Sequence, residues 1–497
     1  MRALSGTDRA ETTVGPFATA WWGRQAFWDL ERWLSSPSCC RLGLPEVERE
    51  TERRGRELLR LQIQAHIDAR GTGDLGPVLR VRFPDALPVT CTHKRLHTRQ
   101  LVTLFGTVSI TRMAYGSRGQ PSLHPLDAQL QLPARRFSYE IQRRLVKSAL
   151  QGPFDEALEV LADTTGIVVP KRSAEQIVAD ASADFESFYA RRSAGGAVAQ
   201  GPLLVAALDS KGIPMVKPEG AIRPVRLRKG EKRHKKRMST VAAVFSQLPA
   251  ARTPETVVAS LFTPAELAPP REPRANRPQH KRVWASLLAG KVAFIQDVRD
   301  EMRRRDPDRE HTWVIVTDGE RALQRRVCEQ FPDVILILDL LHVLEKLWAA
   351  AHALYAEGSA AAESFTSERA LRILRGQVSQ VVKGLRQIVT KRKLEGKKRH
   401  TLLAVAGYFY HNRTRMRYHD YLEMGWPIAS GSVEGACKNL IKDRMERSGM
   451  RWTPAMAEAM LRLRATYLSG DFEEYWDYHV LRDQQRLHPY DLCVVGK

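Results

Sequence analysis

The sequence predicts an α/β fold, and three stretches predict it. Residues 313–317 (WVIVT) form a short apolar, β-branched run that ends abruptly at Asp318-Gly319, where a strand gives way to a turn. From Glu320 to Gln330 the apolar spacing turns helical, and residues 334–338 read as a second buried strand closed by Asp339. Upstream, residues 202–208 (PLLVAAL) make a near-continuous apolar run of strand length that also ends in a carboxylate, Asp209. Runs apolar on both faces belong to strands covered by helices. Groups at the carboxyl ends of parallel strands face the crevice where ligands bind, so Asp209, Asp318 and Asp339 are placed for chemistry. Capping of the following helix is the competing role for Asp318.

The bulk numbers bound the partner. A chain of 497 residues is long enough for about three domains, each with its own core. Lys plus Arg outnumber Asp plus Glu by 78 to 56, a formal charge of +22, which favours a polyanionic partner such as nucleic acid over a small neutral substrate. Residues 1–17 (MRALSGTDRAETTVGPF) lack an apolar core of signal-peptide length, and no run approaches the roughly 18 apolar residues of a membrane span. The expectation is a soluble, cytoplasmic, nucleoid-associated protein with no membrane partner. Cys39, Cys40, Cys91, Cys328, Cys437 and Cys493 form no C-x-x-C pair, so reduced thiols are expected rather than disulfides or a cysteine zinc site.

In chain order, residues 1–90 read as an N-terminal helical region: 17–34 carry aromatics near helical spacing, and 47–70 form a charged helix stopped by Gly71. The first helix is expected to pack; the second could dimerise or lie on the body. Residues 91–195 read as a β-hairpin and helix-turn-helix-like DNA-binding region. Residues 97–115 alternate in the β manner around Gly106, and 154–181 give a helix, a break at Gly166 and a second helix starting near Pro170. A helix-turn-helix would present Lys171, Arg172, Ser173 and Gln176 to DNA, and a plain helical hairpin is the alternative. Residues 193–200 (SAGGAVAQ) suit a linker. Residues 196–340 hold the first part of the α/β core, with further strands over 213–217 and 239–247, an irregular proline-rich connection over 253–278 and a helix over 281–304. Within it, residues 226–237 (RLRKGEKRHKKR) hold nine Lys, Arg or His in twelve, namely Arg226, Arg228, Lys229, Lys232, Arg233, His234, Lys235, Lys236 and Arg237. Such density suits contacts to a phosphate backbone. Residues 341–425 are helical throughout, an insertion whose basic run at 391–400 is a backbone contact or a solvated helix end. Residues 426–497 complete the core, with a small-residue turn opening a helix that has Glu434 in its first turn.

Asp209 after one strand, Asp318 after a later one and Glu434 at a distant helix start meet only if a fold joins them. Strand, strand, strand, helix, strand, helix, strand, then helices, is the element order of a ribonuclease H-like domain, in which the first and fourth strands are neighbours. Clustered carboxylates repel unless cations neutralise them. A carboxylate-only site suits Mg²⁺, with Mn²⁺ as a substitute, and two such ions about 4 Å apart would serve in-line phosphodiester attack.

The segments VAALDSKGIP, VIVTDGERAL, FPDVILILDLLHVLEKLW and PIASGSVEGACKNLIKDRMERSGMRW resemble those of bacterial insertion-sequence transposases of the ISKra group, DDE enzymes similar to Mutator-type transposases. The resemblance runs from about His97 to Tyr475. It implies a ribonuclease H-like catalytic domain, Asp209, Asp318 and Glu434 as the metal-binding catalytic triad, and Asp339 with His342 as supporting residues in a [Cys/Asp]-x-x-His signature. It implies binding to double-stranded terminal inverted repeats and target DNA, as a homodimer or higher oligomer. Arg451 and Trp452 fall near the catalytic glutamate in the family, where an exposed Trp could stack on an unpaired base; a core Trp is the alternative. The paired cysteines of a small zinc element, frequent in the group after the N-terminal hairpin, are missing from MAYGSRGQPSLHPLD. The expected activity is DNA-end cleavage and joining of the 3′-hydroxyl to target DNA. A non-catalytic DNA-binding descendant and a Mg²⁺ nuclease without strand transfer are the alternatives.

Overall fold

The computed structural model describes residues 16–119, 121–192, 201–216, 236–263, 278–447 and 449–493. The chain divides into two compact units, with boundaries between Asp184 and Phe185 and between Tyr475 and Trp476. Among the described residues no helix is long and apolar enough to cross a membrane.

In the first unit, α1 (Pro16–Leu34) and α2 (Leu44–Ala69) pack as a helical hairpin. The Gly43 N–H ahead of α2 donates to Glu46 Oε2 at 3.0 Å, and Gly71, at φ +69°, stops the helix where the sequence predicts. The aromatic residues of α1 do not all pack inward as expected: Trp21, Trp22, Phe27 and Trp28 are exposed. β1 (Leu79–Arg82) and β2 (Val89–Cys91) are followed by the expected hairpin, β3 (His93–Thr103) with β4 (Gly106–Gly116), whose Thr103 and Gly106 pair across a two-residue turn. Gly106 has φ +135°, open to glycine alone without strain. Then come α3 (Pro125–Gln129) and three mutually packed helices, α4 (Tyr139–Ala149), α5 (Phe154–Thr165) and α6 (Lys171–Ala181). Gly166, left-handed at φ +66°, ends α5 at the expected break.

The second unit is built on a mixed sheet. After α7 (Phe185–Arg191) come β5 (Leu203–Pro214), β6 (Lys236–Gln247), α8 (Pro254–Phe262), β7 (Gln279–Ser286), α9 (Lys291–Arg305), β8 (Thr312–Thr317), α10 (Arg321–Gln330) and β9 (Ile335–Leu338). The strand order is β7-β6-β5-β8-β9, with β6 antiparallel to both β7 and β5, and β5, β8 and β9 parallel. The first and fourth strands are thus neighbours. The central residues Leu204 to Ala206 and Val314 to Ile315 have no exposed surface, as helix cover on both faces requires.

Three elements differ from the sequence reading. The strands expected to end at Leu208 and restart at Ile213 are one, because β6 pairs with β5 from Leu203 to Pro214 without a break. Residues 281–304, read as one helix, hold β7 and α9 instead. The charged flanks favour helix, but Val283, Trp284 and Ala285 are buried against β6 and a later helix, and tertiary packing overrides propensity. The proline-rich connection contains α8, started by Thr253, whose Oγ1 accepts from Thr256 N.

The helical insertion comprises α11 (Leu340–Leu354), α12 (Ala360–Leu374), α13 (Val378–Lys391), α14 (Gly396–Asn412) and α15 (Tyr418–Glu423). The chain returns through α16 (Gly431–Ala436), a π-helical turn (Cys437–Lys442), α17 (Asp443–Met445) and α18 (Pro454–Ser469), which packs on β7. α19 (Phe472–Leu487) runs into the first unit, where β10 (Asp491–Leu492) pairs antiparallel with β1.

Candidate metal centre

Pairing of β5 with β8 sets the centre. Leu208 lies opposite Thr317, the last pair of the parallel ladder, so Asp209 and Asp318 are the next residues on adjacent strands. Asp209 accepts from its neighbour Ser210 N at 2.6 Å and from the Cys437 thiol at 3.2 Å. Asp318 Oδ1 accepts from Glu320 N at 3.1 Å, a turn bond that occupies one oxygen only; the capping role weighed against catalysis is not taken up, because Glu320 is itself the N-cap of α10 and no side chain caps that helix. Burial pushes the Asp318 carboxyl above its ordinary range; the Glu320 N–H opposes this and the Asp209 charge adds to it.

The third member is His342. One ligand-capable atom each of Asp209, Asp318 and His342 lies within 4.8 Å of the others. His342 Nδ1 lies 2.7 Å from Asp339 Oδ2, which leaves Nε2 for another partner. The Asp339 hydrogen bond raises the imidazole to about 9, against the opposing effect of its burial and with further help from the charges of Asp339 and Asp209. Asp339 is buried and caps α11 through Leu341 N at 3.2 Å; it also accepts from Ser430 N at 2.9 Å and Ser430 Oγ at 2.7 Å. Burial alone would raise the Asp339 carboxyl, but His342 and Ser430 hold it below the usual range. Asp339 is therefore the pin that fixes both the imidazole and the start of α16. A carboxylate that orients one ring nitrogen so that the other can ligate is a recurrent feature of metal-binding histidines.

Glu434 is not in this group. It is exposed on six-residue α16, while Cys437, one turn further along, touches Asp209. The expected carboxylate-only cluster is thus, among the described residues, two carboxylates and an imidazole. The π-helical turn that begins at Cys437 frees carbonyls from the α pattern, and Arg464 Nε donates to Leu440 O at 3.0 Å with a second bond from Nη2 to Asn439 O.

Gly319 follows Asp318 directly beneath Tyr408 of α14; a Cβ there would clash with the edge of the tyrosine ring and its hydroxyl. Burial, with Asp318 and Asp339 adding to it and the Gly319 backbone hydrogen bond opposing it, holds the Tyr408 hydroxyl well above its ordinary range, so it stays neutral. Sequence reasoning missed Tyr408, Ser430 and Cys437. Only Ser430 carried a signal, its place in the small-residue turn before α16.

No protein-family model and no curated protein matches this chain.

The residues expected at DNA are spread more widely. On α6, Lys171 and Arg172 are exposed, Ser173 is half-buried and Gln176 is exposed. Lys171 Nζ pairs with Asp155 at 2.8 Å, and Gln176 Oε1 accepts from Arg135 at 2.9 Å. Arg226, Arg228, Lys229, Lys232, Arg233 and Lys235 lie outside the described residues, as does the expected linker. Lys236 and Arg237 are exposed at the start of β6, where Lys236 meets Glu446 at 2.8 Å. Arg451 is exposed, but Trp452 is a correction: it is 6% exposed, its Nε1 donates to Met445 O at 3.1 Å, and the Arg444 guanidinium lies over its ring. Apolar burial with its one N–H satisfied outweighs the stacking role, so Trp452 is a core residue.

The donor set fits a divalent cation. Two carboxylates at neighbouring strand positions repel, burial raises the cost of the Asp318 charge, and a dication or an imidazolium between them offsets both. Asp209 and Asp318 suit a hard ion such as Mg²⁺, whereas the imidazole widens the choice towards Mn²⁺ or Zn²⁺.

Proposed function

We propose that the chain is a DDE-type DNA transposase whose second unit is a ribonuclease H-like catalytic domain with a helical insertion. The observation that carries this reading is the meeting of Asp209 and Asp318, far apart in sequence, on neighbouring parallel strands with ligand atoms within 4.8 Å. The sheet order supports it: numbered by sequence within the unit, the strands run third, second, first, fourth, fifth, with only the second antiparallel to the rest, the arrangement of the ribonuclease H-like core. The basic balance of +22 supports a nucleic-acid substrate.

In this reading Asp209 and Asp318 would hold Mg²⁺ or Mn²⁺, and Glu434, three residues before the Cys437 that touches Asp209, would turn in as the third carboxylate when metal and DNA are bound. Dications held there would supply charge neutralisation for in-line attack on a phosphodiester. His342, fixed by Asp339, sets a cationic or ligating nitrogen beside both aspartates, where a phosphate oxygen would also sit. Asp318 is steered by the Glu320 N–H and by Tyr408 packed over Gly319. Basic side chains, with the run at 226–237 foremost, hold the DNA backbone without reading bases.

The test is a nicking and strand-transfer assay with labelled element ends in Mg²⁺, wild type beside Asp318→Asn and Glu434→Gln. Wild type is expected to leave 3′-hydroxyl nicks and join them to target DNA. Both variants are expected to lose nicking and joining by at least about a thousandfold while keeping DNA binding. Binding without cleavage by wild type would leave a non-catalytic DNA-binding protein, and nicking without joining a nuclease.

A further inference from the structure

Among the described residues, every exposed Trp and Phe lies on one helix, α1: Trp21 is 55% exposed, Trp22 51%, Phe27 44% and Trp28 58%, with Leu34 at 40% near its end. Soluble surfaces seldom gather large aromatics this way unless something covers them, and Trp is the residue type most often decisive in protein contacts. Trp21, Arg24, Trp28, Glu31 and Ser35 follow one another at spacings of three and four, so they form a single stripe along the helix, with Phe27 and Leu34 beside it. The opposite side of α1 packs on α2.

The charges on the stripe choose the occupant. Arg24 and Glu31 have no ion-pair partner among the described residues, and they are seven positions apart, two helical turns. In a parallel pair of identical helices Arg24 would face Arg24 and Glu31 face Glu31. In an antiparallel pair with Arg24 opposite Glu31, the same register sets Phe27 against Trp28 across the two-fold axis and Trp21 against Leu34 at each end. Every exposed apolar residue of the stripe then meets an apolar one, and two ion pairs form by symmetry, as an isologous interface requires. We propose that α1 is a self-association surface on which a second copy of this chain docks, antiparallel, in the register that pairs Arg24 with Glu31.

This inference stands apart from the catalytic reading and does not depend on it. The experiment is sedimentation velocity of the full-length protein across a concentration series, without DNA, with circular dichroism as the check on folding. Wild type is expected to sediment as a species of twice the 56.2 kDa chain mass. Trp28→Asp, exposed and therefore harmless to the fold, is expected to weaken the dimer by about thirtyfold or more, the range for loss of a central aromatic anchor. Arg24→Glu alone and Glu31→Arg alone should each weaken it, and the double exchange Arg24→Glu with Glu31→Arg should restore it, because only the cross-pairing is regained. A wild-type monomer at tens of micromolar, or a dimer indifferent to Trp28→Asp, would overturn the proposal, as would single and double charge variants that behave alike. A monomeric wild type would leave the stripe to a different protein or to DNA.

Discussion

Asp339 carries more of the centre than its place in the sequence suggests. It is 1% exposed and answers four donors or partners: Leu341 N, Ser430 N, Ser430 Oγ and His342 Nδ1. Asp339→Ala leaves Ser430 and His342 without those bonds, and a destabilisation of about 3 kcal/mol is expected in urea unfolding. The pair also makes metal-free stability depend on pH. His342 is raised from 6.5 to about 9, so its contribution is complete below pH 6.5 and is lost as pH rises through 9, provided Asp339 stays ionised, which its lowered range ensures above about pH 4. The melting temperature of metal-free protein is therefore expected to fall between pH 6.5 and 9, and His342→Gln to flatten that fall. An unchanged slope in the variant would place the titration elsewhere. Gly319→Ala, which drives a methyl group into Tyr408, is expected to lower cleavage more than stability, because it shifts the tyrosine over Asp318 before it disturbs the core.

At the scale of elements, β7 is joined to α9 by a buried charge cluster. Arg282 of β7 donates to Glu301 at 2.5 Å, and Arg304 and Arg305 reach the same carboxylate at 2.7 Å and 2.8 Å. Burial would raise the Glu301 carboxyl, but the three guanidinium groups, Arg282 foremost, pull it far below its ordinary 4.5. Glu301→Ala strands buried cations, so a loss of about 3–5 kcal/mol is expected in chemical denaturation. In wild type this contribution is present above pH 4.5 and is lost as acidification approaches the depressed folded value. The same region shows where reading a sequence fails. Residues 313–317 and 335–338 declare themselves as strands because their apolar, β-branched runs are bounded by Asp-Gly and by Asp339. β7 hides, because KRVWAS begins with charges that favour helix and is held extended only by β6 and α18. The long β5 was broken in two at Ser210-Lys211-Gly212, whose polar look says turn although β6 pairs with each of them. Asp209 and Asp318 were legible from strand ends. Tyr408 and Cys437 were not, since their role comes from helices that fold back over the sheet, and no local pattern encodes that return. Glu434 was legible as a residue but not in its position, because six-residue α16 gives way to a π turn that sets Cys437 against Asp209 instead.

For the whole molecule, the +22 charge sets the expected response to salt. Alanine at the Lys and Arg residues of 226–237 should weaken binding to all duplexes alike and flatten the dependence of log affinity on log salt by roughly 0.9 per phosphate contact removed. Affinity lost only for element ends would make these residues base readers. The central claim is narrower: that Asp209 and Asp318, brought together by the parallel pairing of β5 and β8, hold a divalent cation for phosphodiester chemistry. Mn²⁺ binding followed by electron paramagnetic resonance, on full-length wild type beside Asp209→Asn and Asp318→Asn, tests it most directly. The expected result is saturable loss of the free Mn²⁺ signal with wild type, reversed by excess Mg²⁺ and weakened at least about tenfold in each variant. A wild-type protein that leaves the Mn²⁺ signal unchanged, or variants that bind as tightly as wild type, would contradict the claim.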